Sequence, residues 1–113
     1  LGPLVLFGLG GIFVEVMRDV ALRLCPVRDV DAKDMLASVH ARQLLEGARG
    51  QAPRDQAALI EVIARVSQLA VTYPEIAELD INPLISLAEG AVAVDARVVL
   101  ADAAGGLEVG PTR

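Results

Sequence analysis

The sequence predicts an α+β fold in which an antiparallel sheet packs against two helices. Short runs rich in valine, isoleucine and leucine lie near the N-terminus, and two stretches in the middle carry apolar residues at helical spacing. The last third alternates apolar and polar residues on either side of Glu89-Gly90, which is typical of a hairpin. Hydrophobic residues make up 54% of the 113 residues, enough for the core of one domain over residues 1–101. Residues 102–113, rich in glycine and alanine, are expected to form a flexible tail.

The N-terminal segment is expected to form a β-meander of three short strands. The strands are predicted at residues 4–7, 12–17 and 20–24. Gly8-Leu9-Gly10-Gly11 separates the first two strands, and Arg18-Asp19 forms a tight turn before the third. Pro26 ends the third strand, because proline has no N–H to donate to a strand ladder.

Two helices are expected in the middle of the chain. The first begins at Asp31, whose carboxylate can accept hydrogen bonds from the free N–H groups of the first turn, and it ends at Gly47. The second begins after Asp55, another capping residue, and ends at Tyr73 because a proline follows. Its apolar residues recur at steps of three and four, which indicates one buried face: Leu59, Val62, Ile63, Val66, Leu69 and Ala70.

The C-terminal hairpin is expected to pair residues 78–87 with residues 91–100. If Glu89-Gly90 is a two-residue loop, the count places Asn82 opposite Arg97. The polar side chains of the two strands then share one face of the sheet: Asp80, Asn82, Asp95 and Arg97. The valine, isoleucine and leucine side chains share the other face, which is expected to pack on the second helix.

The polar face of this hairpin is a candidate metal site. Carboxylate and amide oxygens are the ligands that Mg²⁺ prefers, with further oxygens from phosphates and water. Asn82 and Asp95 are the main candidates and Asp80 is the third, while Arg97 beside them can reach a phosphate oxygen. Spacing alone favours the alternative, a solvated sheet face with a cross-strand Asp–Arg pair, because polar faces are common on half-buried sheets.

Charge and composition exclude several classes of partner. The net charge is −5 with only 10 lysines and arginines, which argues against nucleic acid and against an anionic membrane surface. No apolar run approaches the ~18 residues that a membrane span needs. The single cysteine, Cys25, cannot form an internal disulfide and fits a reducing, cytoplasmic setting. Since no base is near it in sequence, Cys25 is interpreted as a small core residue.

Three blocks of sequence resemble one known family. Residues 78–84, Glu-Leu-Asp-Ile-Asn-Pro-Leu, and then Val94-Asp95-Ala96-Arg97, resemble the E-x-(D/E)-I-N-P-L … D-A-(R/K) signature of the ATP-grasp subunit of succinyl-CoA synthetase and of NDP-forming (ADP-forming) acyl-CoA synthetases. Residues 7–16 resemble the glycine-rich strand pair of the acyl-CoA synthetase branch. Residues 47–70 resemble its helical stretch at Gly-Ala-Arg-Gly, at the aspartate that follows, and at Ser-Gln-Leu-Ala. The resemblance covers nearly the whole chain.

The resemblance implies the C-terminal lobe of an ATP-grasp fold, in which two lobes hold ATP between them. It implies that Asn82 and Asp95 bind Mg²⁺ and that Glu15 lies near the nucleotide cleft. Arg49, in a glycine-rich loop, and Arg97, on the hairpin, are expected on the side of the ATP phosphates because each can reach a phosphate oxygen. An outward-facing strand position for Glu15 and a surface position for Arg49 are kept as alternatives. The implied reaction activates a carboxylate through an acyl phosphate, uses a phosphohistidine relay and transfers the acyl group to CoA.

Parts of such an enzyme have no counterpart here: the N-terminal ATP-grasp lobe, the relay-histidine segment and the CoA-binding domains. The chain starts at Leu1 in strand-like sequence, so it is expected to be part of a longer protein and to be inactive alone. Surface that would meet the missing lobe is expected to be exposed and to allow self-association. His40, the one histidine, matches no relay motif and is interpreted as structural.

Two other hypotheses are kept for the function. The same module occurs in protein lysine acetyltransferases, where it can be a non-catalytic module that senses a nucleotide or another ligand. A purely structural α+β domain without a ligand is the third reading. A neighbouring acetyltransferase domain would favour the first of these alternatives, and a titration with Mg-ATP tests the second.

Overall fold

The computed structural model describes residues 2–8, 20–39, 42–47, 50, 52–101 and 107–109. In chain order its elements are β1 (Leu4–Gly8), β2 (Val20–Leu24), α1 (Asp29–Ser38), α2 (Arg42–Leu45), α3 (Gln56–Thr72), β3 (Ile76–Ile81), β4 (Leu84–Ser86), β5 (Ala91–Ala93), β6 (Ala96–Ala101) and β7 (Leu107–Val109). The strand pairs described are antiparallel, which confirms the predicted α+β class. Within these ranges, no helix has the length and apolar character needed to cross a bilayer.

β1 and β2 form a two-stranded ribbon that pairs Leu4 with Leu24 at one end. Because side chains alternate across a strand, Val5 and Ala21 face the core and are only 6% and 5% exposed. The opposite face is aliphatic and open to solvent: Leu4, Leu6, Val20, Leu22 and Leu24. Two of the three predicted N-terminal strands are thereby confirmed, and the strand predicted at residues 12–17 lies outside the described residues.

α1 begins at Asp29, two residues before the predicted start at Asp31. The Asp31 carboxylate accepts a hydrogen bond of 3.0 Å from the Arg28 backbone N–H, and this bond holds the pKa of Asp31 below its usual range. The helix ends before Val39, which is extended (φ −76°, ψ 146°) and buried. The prediction of one helix up to Gly47 is therefore wrong. Leaving the helix places the apolar Val39 side chain in the core, and α2 is a separate single turn.

α3 matches the prediction for the second helix. Asp55 caps it by accepting a hydrogen bond of 3.0 Å from the Ala58 backbone N–H, and the helix ends before Tyr73. Its buried positions recur at four-residue steps: Leu59, Ile63 and Ser67. This face packs against α1 and β1 around Met35 and Leu36, which are almost fully shielded from solvent. The core therefore lies between the β1–β2 ribbon and the two longer helices.

The C-terminal hairpin keeps one register from Glu78 to its turn, after a β-bulge between Ile76 and Glu78 at its base. β3 pairs with β6 so that Asp80 lies opposite Arg97, and β4 pairs with β5 at the same offset. Between these two ladders the Asn82 backbone N–H donates to the Asp95 carbonyl oxygen at 3.0 Å. The register therefore places Asn82 opposite Asp95, not opposite Arg97 as predicted.

The predicted register of this hairpin is wrong by two residues because its connection is longer than expected. β4 and β5 are joined by residues 87–90, and the Leu87 N–H donates to the Gly90 carbonyl oxygen at 3.1 Å. A tertiary contact holds this wider turn, since Asp55 forms hydrogen bonds with both Leu87 and Gly90. A shift of two leaves every side chain on its predicted face, because side chains alternate with a period of two.

The core does not cover the hairpin face that the alternation predicts. Much of the valine, isoleucine and leucine face is exposed: Ile85, Leu87, Val92, Val94 and Leu100. In the part of the hairpin formed by β4 and β5, the residues packed against the core are Leu84 and Ala91, which belong to the opposite face. The expected packing of the whole apolar face on the second helix is therefore wrong. Alternation separates two faces but does not identify the one that meets the core.

β7 extends the sheet of β3 and β6 by pairing Leu107 with Ala101. This strand lies within residues 102–113, which the sequence assigns to a flexible tail. The other residues of that segment lie outside the described ranges. The domain boundary at residue 101 and the flexible tail stay predictions.

Candidate metal-binding site

Asn82 and Asp95 lie opposite each other where the ladders of the hairpin are interrupted. The Asn82 N–H bonds the Asp95 carbonyl oxygen, and the Val94 N–H bonds the Pro83 carbonyl oxygen, both at 3.0 Å. These two bonds keep the strands aligned through the interruption. Asn82 and Asp95 are both exposed. Side chains of directly opposed residues start about 5 Å apart, so this pair can approach one cation.

Asp80 and Arg97 form the next opposed pair along the hairpin. The guanidinium of Arg97 lies 3.5 Å from a carboxylate oxygen of Glu78, and both side chains are more than half exposed. The sequence predicted a cross-strand Asp–Arg pair as its alternative, whereas the ion pair formed uses Glu78. An exposed pair of this kind contributes at most about 1 kcal/mol, so Arg97 can exchange Glu78 for a ligand anion at low cost.

A groove of about 500 Å³ runs beside the hairpin. Most of its wall is apolar and comes from the ribbon and the helices: Val5, Phe7, Leu44, Leu59, Ile63 and Val66. Asp80, Asn82 and Ser86 supply polar atoms from the hairpin side. An apolar concavity of this size with a few polar groups is typical of a site for a small ligand.

Ser86 is a groove residue that the sequence did not single out. Its hydroxyl oxygen is buried and has no hydrogen-bond partner in the part of the chain that the structure describes. The alternation had placed Ser86 on a wet face, but the core packs on that face, so Ser86 is half-buried. A hydroxyl in this position can donate a hydrogen bond to a ligand and accept one from it. A serine among alternating residues carries no signal that would have identified it.

Three residues assigned from the sequence lie outside the described residues. They are Glu15 and Arg49, expected toward the ATP phosphates, and His40, interpreted as structural. These assignments stay predictions. Cys25 is described: its thiol is free and 8% exposed, as expected of a core residue.

The oxygen donors on the hairpin suit a hard cation that keeps part of its water shell. Within the described ranges, no group of three or more His, Cys, Asp or Glu side chains could hold a metal ion. The candidate set is the Asp95 carboxylate and the Asn82 amide oxygen, with Asp80 as a further carboxylate. This set fits Mg²⁺, which takes one or two protein carboxylates together with phosphate oxygens and water. It does not fit a structural zinc site, which needs four protein ligands.

Sequence comparison connects this arrangement with known proteins. The model of the ATP-grasp domain family matches residues 1–100. Over 99 residues the chain is 48% identical to subunit beta of the ADP-forming acetate–CoA ligase I of Pyrococcus furiosus, covering 88% of this chain and 43% of that subunit. Over 89 residues it is 47% identical to the ADP-forming 4-hydroxybutyrate–CoA ligase of Nitrosopumilus maritimus, covering 79% of this chain and 13% of that protein.

The fold is also similar to that of a solved synthetase. The dinucleotide-forming acetyl-coenzyme A synthetase 1 of Ca. Korarchaeum cryptofilum was solved in complex with coenzyme A and Mg-AMPPCP, with its phosphohistidine segment pointing towards the nucleotide-binding site. It matches with a TM-score of 0.85 at 45% identity, covering 88% of this chain and 46% of that chain. The chain thus spans less than half the length of each of these relatives. The matches confirm the resemblance inferred from the motif blocks.

Proposed function

This chain belongs to the ATP-grasp domain family, and we propose that it supplies the Mg-ATP-binding hairpin of an ADP-forming acyl-CoA synthetase. The observation that carries the proposal is the pairing of Asn82 with Asp95 beside an apolar groove. The identity of 48% to a ligase subunit supports a ligase rather than a sensing module of an acetyltransferase. The net charge of −5 agrees with a partner other than nucleic acid.

The proposed roles follow from the chemistry of each side chain. Asp95 and Asn82 would hold Mg²⁺ through a carboxylate and an amide oxygen, and Asp80 is the third candidate ligand. The bound ion would neutralise negative charge on the phosphates of ATP during phosphoryl transfer. Arg97, whose guanidinium lies 3.5 Å from a Glu78 carboxylate oxygen, would release this carboxylate and contact a phosphate oxygen instead. Glu15 and Arg49 are proposed on the same phosphate side of the site.

The proposed reaction of the complete enzyme joins a carboxylic acid to CoA. The γ-phosphoryl group of ATP passes to a histidine, releasing ADP, and then to a carboxylate oxygen to give an acyl phosphate. The CoA thiolate attacks the acyl carbon, inorganic phosphate leaves, and the thioester forms. The two ligases compared are named for different acids, so the proposal concerns this reaction class rather than one acid.

This chain is proposed to form one side of the nucleotide site. The N-terminal ATP-grasp lobe would close the other side, and separate domains would bind CoA and carry the relay histidine. The chain spans 43% of the Pyrococcus subunit, and the remainder of that subunit is long enough for a second lobe. With the protein ligands of one side only, the isolated chain is proposed to bind Mg-ATP weakly and to have no ligase activity.

The proposal is tested by titrating the ¹⁵N-labelled chain with Mn²⁺ and ATP while recording backbone amide spectra. Mn²⁺ takes the place of Mg²⁺ and broadens the signals of nearby amides. We expect the signals of Asn82 and Asp95 to broaden first, and Asp95→Ala to remove this effect. Glu89→Ala is the matched control, because it deletes an exposed carboxylate from the turn of the same hairpin and should leave the broadening unchanged. Broadening that is centred elsewhere, or that survives Asp95→Ala, would refute the metal assignment.

A further inference from the structure

The turn of the C-terminal hairpin is fastened to the start of α3 by Asp55. The Gly90 backbone N–H donates to Asp55 Oδ2 at 2.7 Å, and the Asp55 backbone N–H donates to the Leu87 carbonyl oxygen at 2.7 Å. Asp55 is also the N-cap of α3, where Oδ1 accepts from the Ala58 N–H at 3.0 Å. One side chain thus uses both carboxylate oxygens to join a helix terminus to a β-turn.

The base of the hairpin is fastened to the other end of the same helix. The Ile76 N–H donates to the carbonyl oxygen of Tyr73, the C-cap of α3, at 3.0 Å. α3 contains 17 residues and is therefore about 25 Å long at 1.5 Å per residue. The two ends of α3 are therefore hydrogen-bonded to the base and to the turn of the C-terminal hairpin, and Asn82 and Asp95 lie between these two attachments along the strands.

Side-chain packing does little to orient the outer half of the hairpin, which β4 and β5 form. Ile85, Val92 and Val94 are 43%, 49% and 61% exposed. In the described part of β4 and β5, Leu84 and Ala91 make the apolar contacts with the core. Since this apolar contact is small, we infer that the hydrogen bonds at the turn contribute much of what fixes β4 and β5 relative to the core.

We propose that Asp55 is a positioning residue for the metal pair: by tying the hairpin turn to α3, it fixes Asn82 and Asp95 relative to the groove. This inference rests on the proposed function, because it concerns the same pair. A fixed pair binds an ion without first having to be ordered. Loss of the bond between Gly90 and the Asp55 side chain therefore weakens binding of the ion, because the hairpin must then be ordered when the ion binds.

Helix capping alone does not account for an aspartate at this position. Asparagine and serine cap helices about as well as aspartate does, but each has a single side-chain acceptor oxygen. Asp55 has two and serves two N–H groups, and these bonds, first the one from Gly90 and then the one from Ala58, hold its pKa below the usual range. Asp55→Asn separates the two roles, because it keeps an acceptor for the helix and loses the one for the turn.

The test compares Mn²⁺ affinity, measured by the amide broadening of Asn82 and Asp95, in the complete chain and in Asp55→Asn and Asp55→Ser. Asp31→Asn is the matched control, since Asp31 makes a similar carboxylate-to-backbone bond at the start of α1. Each titration is run where circular dichroism shows the variant to be folded. We expect Kd to rise about three- to tenfold in both Asp55 variants, as for one lost hydrogen bond. We also expect faster amide exchange at Gly90, and no change of Kd in the control.

Each other outcome decides against the inference in a distinguishable way. An unchanged Kd in Asp55→Asn, together with faster exchange of the Gly90 amide, would overturn the positioning role and leave the proposed function standing. If Mn²⁺ does not broaden the amide signals of Asn82 and Asp95 in the wild-type chain, both the proposed function and this inference are overturned. If both Asp55 variants fail to fold, the bond serves the whole fold, and the positioning role is rejected.

Discussion

The hydroxyl of Ser67 accepts a hydrogen bond of 2.7 Å from the backbone N–H of Val27, a residue 40 positions earlier in the sequence. The bond joins α3 to the segment between β2 and α1. Both residues are shielded from solvent, Ser67 at 1% exposure and Val27 at 6%. Because water cannot replace either partner, this contact holds the two halves of the core together more firmly than a polar contact at the surface would.

Ser67→Ala is expected to lower the free energy of unfolding by about 1–3 kcal/mol, since the buried Val27 N–H loses its acceptor. The measurement is chemical denaturation followed by circular dichroism. Ser38→Ala is the matched control: its hydroxyl donates to the Met35 carbonyl oxygen from an exposed position, so the change should stay within about 0.5 kcal/mol. Equal effects of the two substitutions would contradict the importance of the Ser67 bond.

In the complete acyl-CoA synthetase proposed above, Asp95→Ala is expected to abolish acyl-CoA formation and leave the fold intact, because Asp95 is exposed. Asn82→Asp should reduce activity less, since it keeps an oxygen ligand. The measurements are ADP release with acid and CoA, and thermal unfolding of each variant. Near-normal turnover of Asp95→Ala would show that this carboxylate does not hold the metal.

The chain alone is expected to bind Mg-ATP weakly and to release no ADP in the presence of acetate and CoA. Two protein oxygens without a phosphate clamp from a second lobe hold Mg²⁺ loosely. Isothermal titration calorimetry measures the affinity, and a coupled assay measures ADP. A micromolar Kd or metal-dependent turnover would mean that these 113 residues form a complete site.

The stability contributed by Asp55 is expected to disappear in acid. Its folded pKa lies below the unfolded value near 3.8, so the contribution is fully present above the unfolded pKa and is lost as pH falls through the folded pKa. The difference in free energy of unfolding between wild type and Asp55→Asn should therefore be constant above about pH 5 and shrink below about pH 4. Denaturant titrations over this range measure it. If the difference in free energy of unfolding between wild type and Asp55→Asn grows toward low pH, the prediction is contradicted.

Self-association of the isolated chain is expected to use the aliphatic face of the ribbon. Leu6 and Leu22 lie opposite each other at the centre of this face and are 61% and 50% exposed. Exposed apolar faces of this kind drive association. The double variant Leu6→Thr and Leu22→Thr keeps strand propensity and should shift sedimentation velocity profiles toward the monomer. Ile85→Thr with Val92→Thr, on the hairpin, is the matched control; a shift with this pair instead would move the interface there.

The second helix was predictable because its signals are local. An aspartate cap, apolar residues at three- and four-residue steps and a following proline define α3 between its capping residues, Asp55 and Tyr73, without tertiary information. The first helix was predicted too long, because the extended backbone at Val39 is favoured by burial in a core formed by distant segments. A weak apolar stripe could not indicate that the helix stops there.

The sequence predicted that Asn82 and Asp95 share one face of the hairpin, but it did not predict that they lie opposite each other. Parity about the turn placed Asn82 and Asp95 on one face, and a register error of two leaves parity unchanged. The turn forms hydrogen bonds with Asp55, a residue 35 positions from Gly90, and rules based on the turn residues alone do not include such a contact. Ser86 was missed for a related reason: the face that meets the core is decided by the packing of the whole domain.

Cys25 carries the single thiol of the chain, at 8% exposure within the core. The protein therefore contains its own reporter of local opening. A thiol-reactive reagent modifies Cys25 only in molecules in which local unfolding near the end of β2 exposes the thiol. The labelling rate in native buffer therefore reports how often this local unfolding occurs. Comparing this rate with global unfolding would separate opening of the N-terminal half from collapse of the entire domain.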